Sequence, residues 1–464
     1  MSARHCFSAP ARQQRGVGAV VMVMVLFFVV SLMAAYASRN LIFEQKTSAN
    51  QVRSTVAFEA ADAAVEWTVT MLNAGRINDD CGVGTSGDSS FQQRYLAVDS
   101  SGNFRVRVRT GNWPTCVFNG TDWSCKCPDA STLNLTSPTT GAGPFPAFRV
   151  WPATQEAVSL VSSPYTPVVT FPLPGMISVG TGGCSVLPAA GSGCLDFLPR
   201  GQFGEAVGNT RVAMMLRSAL AVPPAAAITV RRGVTPGGGA VKLKVINENE
   251  PSGGYTVNSG LAVTPTDFDA TTLPGTPGSV SFAGLDPRLS QLEAVATAAG
   301  SLTAGERMFA SIFGMKRQTY KEQPGLRVCT SPCDAAKVND LLLANPNRII
   351  WVEGNLAADA NIGSSGSPAM LVVEGNQMTM STGVTITGVV YLSGETATIQ
   401  LPAGATTIQG ALIAEGALAT TYASTPAAGQ ELTVTYNRPV LDLIRNTYGS
   451  WVRMPGGWRD FKSS

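Results

Sequence analysis

The chain has almost no histidine and little charge. His5 is the only histidine among 464 residues. Beyond it, no Ser-His-Asp or Cys-His nucleophile system can form, and no histidine-ligated metal centre. Charged residues are 14% of the chain and the formal net charge is +2. That balance lacks the concentrated basic patch that nucleic-acid binding requires, so no nucleic-acid partner is expected. Residues 349–417 hold no Lys or Arg at all, which removes the cationic stabiliser an enzyme acting on acidic polysaccharide would need. No catalytic, cofactor-binding or metal residue is predicted, and the chain is not expected to be an enzyme.

Proline is missing over a second long stretch. From Val17 to Ala74 there is none, and Gly18 is the only glycine. Within it, Val17–Ala37 carries no charge, and a helix of that length, at about 1.5 Å per residue, matches the roughly 30 Å hydrocarbon core of a bilayer. Arg4, Arg12 and Arg15 precede the run, which puts the short N-terminus in the cytoplasm and the bulk across the membrane. "AAYAS" offers a small-residue cleavage pattern at Ala35–Ala37, but a secretory signal has a shorter apolar region. The sequence after it, "NQVRSTVAFEAADAAVEWTVTMLNAG", continues as helix. Val56, Ala60, Ala63, Trp67 and Met71 make one apolar face, and Phe58, Ala61, Val65 and Leu72 a second. Glu59, Asp62, Glu66 and Asn73 form a polar stripe between them, and Gly75 is the stop signal.

The basic leader "RQQRG" (Arg12–Gly16), the apolar run and "AFEAADAAVEW" (Ala57–Trp67) together resemble the N-terminal region of the PilX family of type IV pilus assembly proteins, which are minor pilins. The resemblance implies cleavage by a prepilin peptidase after Gly16, with a mature chain starting at Val17. It also implies the inner membrane as anchor, other minor pilins and the major pilin as partners, a tip adhesin as a further one, and a final place on the cell-surface pilus. Most pilins carry a glutamate five residues into the mature chain, where this chain has Val21. That departure is shared with some tip-type members and leaves an uncleaved anchor open as the alternative.

Past the helix the chain is rich in turns, with Gly 48 and Pro 29. The fold class expected is α+β: a long pilin-like membrane helix followed by mostly β exported domains. Cys81, Cys116, Cys125, Cys127, Cys184, Cys194, Cys329 and Cys333 all follow the apolar run, an even set that reads as disulfides formed outside the cytoplasm. Cys329 with Cys333 and Cys184 with Cys194 could each close a small loop, but eight cysteines leave the pairing open. Zinc is disfavoured because "CKC" and "CTSPC" have no histidine near them. "NFRVRVRTGNW" (Asn103–Trp113) alternates as a strand. The turn Asn247–Glu250 does not match the ligand spacing of a calcium loop and reads as a solvated turn.

The clearest internal signal is a repeat. "IIWVEGN", "MLVVEGN", "GVVYLSGE" and "GALIAEGA" carry Gly354, Gly375, Gly394 and Gly416 near their ends. A short buried strand and tight turn recurring about every 20 residues predict a β-solenoid. "VLDLIRNTYGSW" (Val440–Trp451) reads as a capping helix, and the closing "GGWRDF" also resembles PilX-type chains. The division expected is a leader (1–16), the helix (17–75), a disulfide-rich β region (76–200), a mixed region (201–345), solenoid repeats (346–425) and a C-terminal cap (426–464). The function expected is that of a minor pilin-like assembly or structural protein at a filament tip or in its priming complex. The alternative is a membrane-anchored adhesin that binds through the solenoid.

Overall fold

A computed structural model describes residues 16–99, 104–107, 113–129, 147–153, 176–184, 207–237, 243–264, 268–294, 302–422 and 430–459. The leader before Gly16, Cys194 and part of the Asn103–Trp113 segment lie outside the described residues.

One helix, Gly16–Asn73, runs for 58 residues, about 87 Å at 1.5 Å per residue. From residue 18 to residue 55 every position is exposed. Burial starts at Ala57 and continues through Ala60, Ala61, Ala64, Val65, Thr68, Met71 and Leu72. Spacings of three and four put these on a single face, where two were expected. The buried face takes members from both. Its centre is alanine, which lets a sheet approach the helix closely. Val56 and Trp67 fall on its margin, and Ala63 and Phe58 are exposed.

An antiparallel sheet covers that face. Its order is Gly449–Arg459, Val207–Ser218, Met176–Cys184, Ala147–Ala153, Thr115–Phe118 and Trp123–Lys126. Val65, Phe91, Tyr95, Phe148, Val212, Met214 and Trp451 fill the core between sheet and helix. The strand expected over Asn103–Trp113 is seen at Phe104–Val106, paired with Leu96–Val98.

A second core lies between two parallel sheets. Leu326–Cys329, Ile349–Val352, Ala369–Val373, Thr385–Leu392, Ala405–Ala414 and Glu431–Tyr436 are successive neighbours in the first. Cys333–Asp334, Leu356–Ala358, Gln377–Met380, Thr396–Leu401 and Ala417–Tyr422 are successive neighbours in the second. Along the chain these strands alternate strictly between the sheets. Ile349 pairs with Met370, Met370 with Val389, and Val389 with Ala411. Each of these steps advances the chain by the same length as the matching step from Gly354 to Gly375, to Gly394 and to Gly416. Ile349–Val352 and Ala369–Val373, central in the first sheet, are apolar and buried at every position, as parallel strands covered on both faces must be. On one side that sheet carries the helix Ala304–Phe313, whose Phe309 and Phe313 pack on Tyr391.

Strands from upstream complete these sheets. Val234–Thr235 extends the second, while Ile228–Val230, Leu243–Ile246 and Phe268–Thr271 join the first. Their pairing runs across position 345, and that of Met176–Cys184 with Val207–Ser218 runs across position 200, at which the regions were divided. The helix expected over Val440–Trp451 spans Arg438–Thr447, capped by Asn437. Trp451 lies instead in the strand Gly449–Arg459, which joins the antiparallel sheet. Tyr448, in an extended conformation, ends the helix, and Gly449 after it takes φ 145°, a backbone state that glycine alone adopts readily.

Candidate functional site

The exposed surface of the long helix is the first feature. Val20, Val21, Met22, Leu26, Phe27 and Phe28 are more than half exposed. Among the described residues one helix is long and apolar enough to cross a membrane, over its span Gly18–Asn73. The whole helix starts at Gly16, so the expected processing junction Gly16–Val17 falls at the helix start. Val21 stands among other exposed apolar side chains.

The other end of the helix is held by a buried polar joint. Four C-terminal carbonyls of any helix lack partners within it. Here Arg348, fully buried, donates to the carbonyls of Leu72, Ala74 and Gly449. Arg327 donates to the Asn73 carbonyl at 2.8 Å and to Asn345 Oδ1 at 2.8 Å. Both cations also lie at the negative end of the helix dipole. Asn73 bonds the Trp451 backbone twice, accepting from its N–H and donating to its carbonyl, each at 2.9 Å. Burial and the neighbouring Arg327 charge lower the Arg348 guanidinium to about 9, which leaves it charged at neutral pH. Asn73 was expected in a polar stripe with Glu59, Asp62 and Glu66; those three are exposed, but Asn73 is buried. The joint was missed in the sequence because Arg327 and Arg348 lie far along the chain.

The repeat segment has acids but no cations of its own, and the fold brings them from elsewhere. Lys321 approaches both Glu353 and Glu374. Arg231 and Arg232 meet Glu395, at 2.7 and 3.0 Å, and both pair with Glu293. Arg317 pairs with Glu415, which also accepts from Tyr391 at 3.1 Å. Hydrogen bonding from Arg232 holds the Glu293 carboxyl below its ordinary value. Burial alone would raise Glu374, but hydrogen bonds from Trp351 and Lys321 outweigh it, and the group stays low. These acids are neutralised by partners, as a structural network requires.

Three disulfides lie among the described residues: Cys81–Cys127, Cys116–Cys125 and Cys329–Cys333. Cys184 ends the strand Met176–Cys184. Among the described residues no group of three or more His, Cys, Asp or Glu could hold a metal ion. The Asn247 turn is less solvated than expected. Asn247 is buried and donates to Ser252 Oγ and the Tyr255 carbonyl.

Residues 18–66 match the PilX N-terminal family model, which bears out the resemblance carried by the apolar run and Ala57–Trp67. No curated protein sequence matches the chain. Among solved structures, the chain is similar to the competence-associated pilin ComZ from Thermus thermophilus, at 12% identity over 88% of this chain and 97% of that one, with a TM-score of 0.20. The family match places the long helix among type IV pilus-related, pilin-like segments.

Proposed function

We propose that the chain is a minor pilin-like subunit of a type IV pilus or related filament, placed at its tip or in its priming complex. The observation that carries this reading is a helix bare from residue 18 to residue 55, whose remainder alone is packed against folded structure. A soluble domain would not leave so much apolar surface uncovered. In this reading prepilin peptidase cuts after Gly16. The span Val17–Ala37 holds the subunit in the inner membrane with its bulk in the periplasm, until the helix joins the filament beside other minor pilins and the major pilin. The disulfides fit an oxidising compartment. The alternating parallel sheets support reading 346–425 as β-solenoid coils, and the order leader, helix, β region, mixed region, coils and cap as the domain plan. The role is structural and not enzymatic.

Val21 supports the tip or priming placement. A carboxylate within the span would be costly unless paired with a neighbour, and its absence suits a subunit that does not repeat along a filament. N-terminal sequencing of the membrane-extracted chain should begin at Val17. In sheared filaments the chain should stand far below the major subunit, and near-equal amounts would refute the placement.

A second reading, an adhesin with the second parallel sheet as its binding face, rests on the row Thr379, Gln400 and Thr421, uncharged and only partly buried or exposed. Deleting residues 17–75 separates the two: an adhesin keeps its binding, whereas an assembly subunit loses all function.

A further inference from the structure

The first parallel sheet stacks one column of residues from end to end. Ile350, Leu371, Val390, Leu412, Ile228 and Val257 are successive partners in register. All of them are fully buried. At one end the column starts from Arg327, whose guanidinium belongs to the joint with the long helix. At the other it ends on Phe282, in the short strand Phe282–Ala283. Among the described residues that strand pairs only with Val257–Ser259, so its other edge is open. Phe282 itself is only partly buried. Stacked strands bury their apolar faces against one another, and the ends of such a stack need covers with a polar outer side. This end has the reverse. Leu261, Val280 and Leu285 are each at least half exposed, and Leu285 donates its N–H to the Leu261 carbonyl at 3.2 Å. Leu285 also takes φ 58°, a left-handed state that leucine rarely adopts. Its side chain gains no burial in return, and backbone strain of this kind collects at surfaces kept for use. Open edges are normally blunted by charge or proline, yet "GSVSFAGL" (Gly278–Leu285) holds neither.

We infer that the open edge of Phe282–Ala283 is a docking site for an extended segment of another protein. The segment adds one parallel strand to the stack, about 4.8 Å beyond Phe282. An unpaired strand edge presents N–H and C=O groups at the spacing of a strand, so an extended backbone is what it recognises. The column sets the side-chain chemistry: an aliphatic or aromatic residue lies over Phe282 and continues the run from Ile350. Leu261 and Leu285 cover apolar neighbours of that residue. Charge has no part in the contact, because residues 278–285 carry none. A second copy of this chain fits the edge less well. Two copies joined in one continuous sheet across a twofold set these strands antiparallel, which breaks the parallel register of the column. The site stands at the end of the stack opposite the joint with the helix. The inference goes beyond the tip placement and does not rest on it.

A synthetic peptide tests the edge. "GYTVNSGLAV" copies residues 254–263, a segment that Phe282–Ala283 already accepts as a parallel neighbour. Fluorescence anisotropy of the labelled peptide is read against the full chain in mild detergent, with empty micelles as the blank. Binding should saturate. The same peptide with Val257→Pro, which removes a ladder donor, should bind about tenfold more weakly or worse. Leu261→Ser with Leu285→Ser in the chain should weaken binding by a similar factor. Hydrogen exchange within residues 281–285 should slow when the peptide is added. Leu285→Gly separates docking from folding: with the backbone strain relieved, the denaturant midpoint should rise while peptide binding weakens. A midpoint that falls with this change would return Leu285 to a structural role and overturn its place in the site. Absent saturation, equal binding of the proline peptide, or binding untouched by the leucine changes would each overturn the site as a whole. Sedimentation of the chain alone gives the remaining outcome: pairs that Leu285→Ser dissolves would assign the edge to a second copy and overturn the inference.

Discussion

At the scale of single residues, two positions govern the fold by opposite means. Gly410 sits at φ 144°, and a Cβ there would fall 1.9 Å from the Gly388 carbonyl oxygen one strand below. Gly388 stands in the same relation to Ala369. Side chains are excluded here by the close stacking of parallel strands. Gly410→Val should cost about 2–4 kcal/mol, from strain and overpacking combined, read as a lowered denaturant midpoint. Arg348 works through what it contributes. Its guanidinium satisfies three carbonyls in a site where charge itself is costly. Arg348→Met relieves the buried charge but strands those acceptors, and an unsatisfied buried acceptor costs about 1–3 kcal/mol. The expected net result is a loss of about 2 kcal/mol. A variant as stable as the wild type would show that the acceptors find water.

At the scale of elements, the helix divides by what surrounds it. Among the described residues its first half has no folded partner, so its composition suits lipid or other helices. Val25→Asp should cost about 2.5–3.5 kcal/mol of membrane insertion and abolish filament assembly, measured as chain lost from the membrane fraction. The outer half is held by packing: Trp67 meets Phe91 and Phe148 edge-on at 5.7 and 5.6 Å. The repeat turns depend on charge instead. Glu293 and Glu374 titrate below their ordinary range in the folded state. A depressed folded value means the stabilisation is complete above the unfolded value, near 4.3, and is lost as pH falls through the folded one. Thermal stability should therefore be flat from neutrality to about pH 5 and decline below it. Replacing Glu374 with Gln should flatten that decline, and an unchanged acid limb would place the loss elsewhere.

At the scale of the whole molecule, two hydrophobic cores meet at the C-terminal end of one helix. Tyr448 belongs to the core between the parallel sheets, and Trp451, three residues on, to the core under the helix. The chain thus passes from one core to the other within a single turn-length. The proposed orientation, with the leader's arginines inside, puts all of this bulk on the far side of the membrane. Protease added to spheroplasts should digest it, and protection of the full chain would reverse the orientation. Thiol labelling of the denatured, unreduced chain should leave the cysteines of the three observed disulfides unmodified. Labelling there would point to a reducing compartment.

What the sequence determined by itself was local and periodic. A long apolar run without charge or proline makes a helix where lipid leaves the backbone to satisfy itself, and the recurrence of glycine about every 20 residues marks where parallel strands come into register. Both follow from backbone geometry and patterning, which neighbours in sequence carry. Tertiary structure decided what depends on distant residues. Alanines at 57, 60, 61 and 64 became the buried face because a sheet could approach them closely, and Val56 and Trp67 were left at its edge. Asn73 left the polar stripe because Trp451, at the far end of the chain, offered its backbone. The repeat's glutamates drew their cations from residues 231, 232, 317 and 321, outside the repeat. Burial and ion pairing are set by which surfaces the whole chain brings together, and no local pattern encodes that choice.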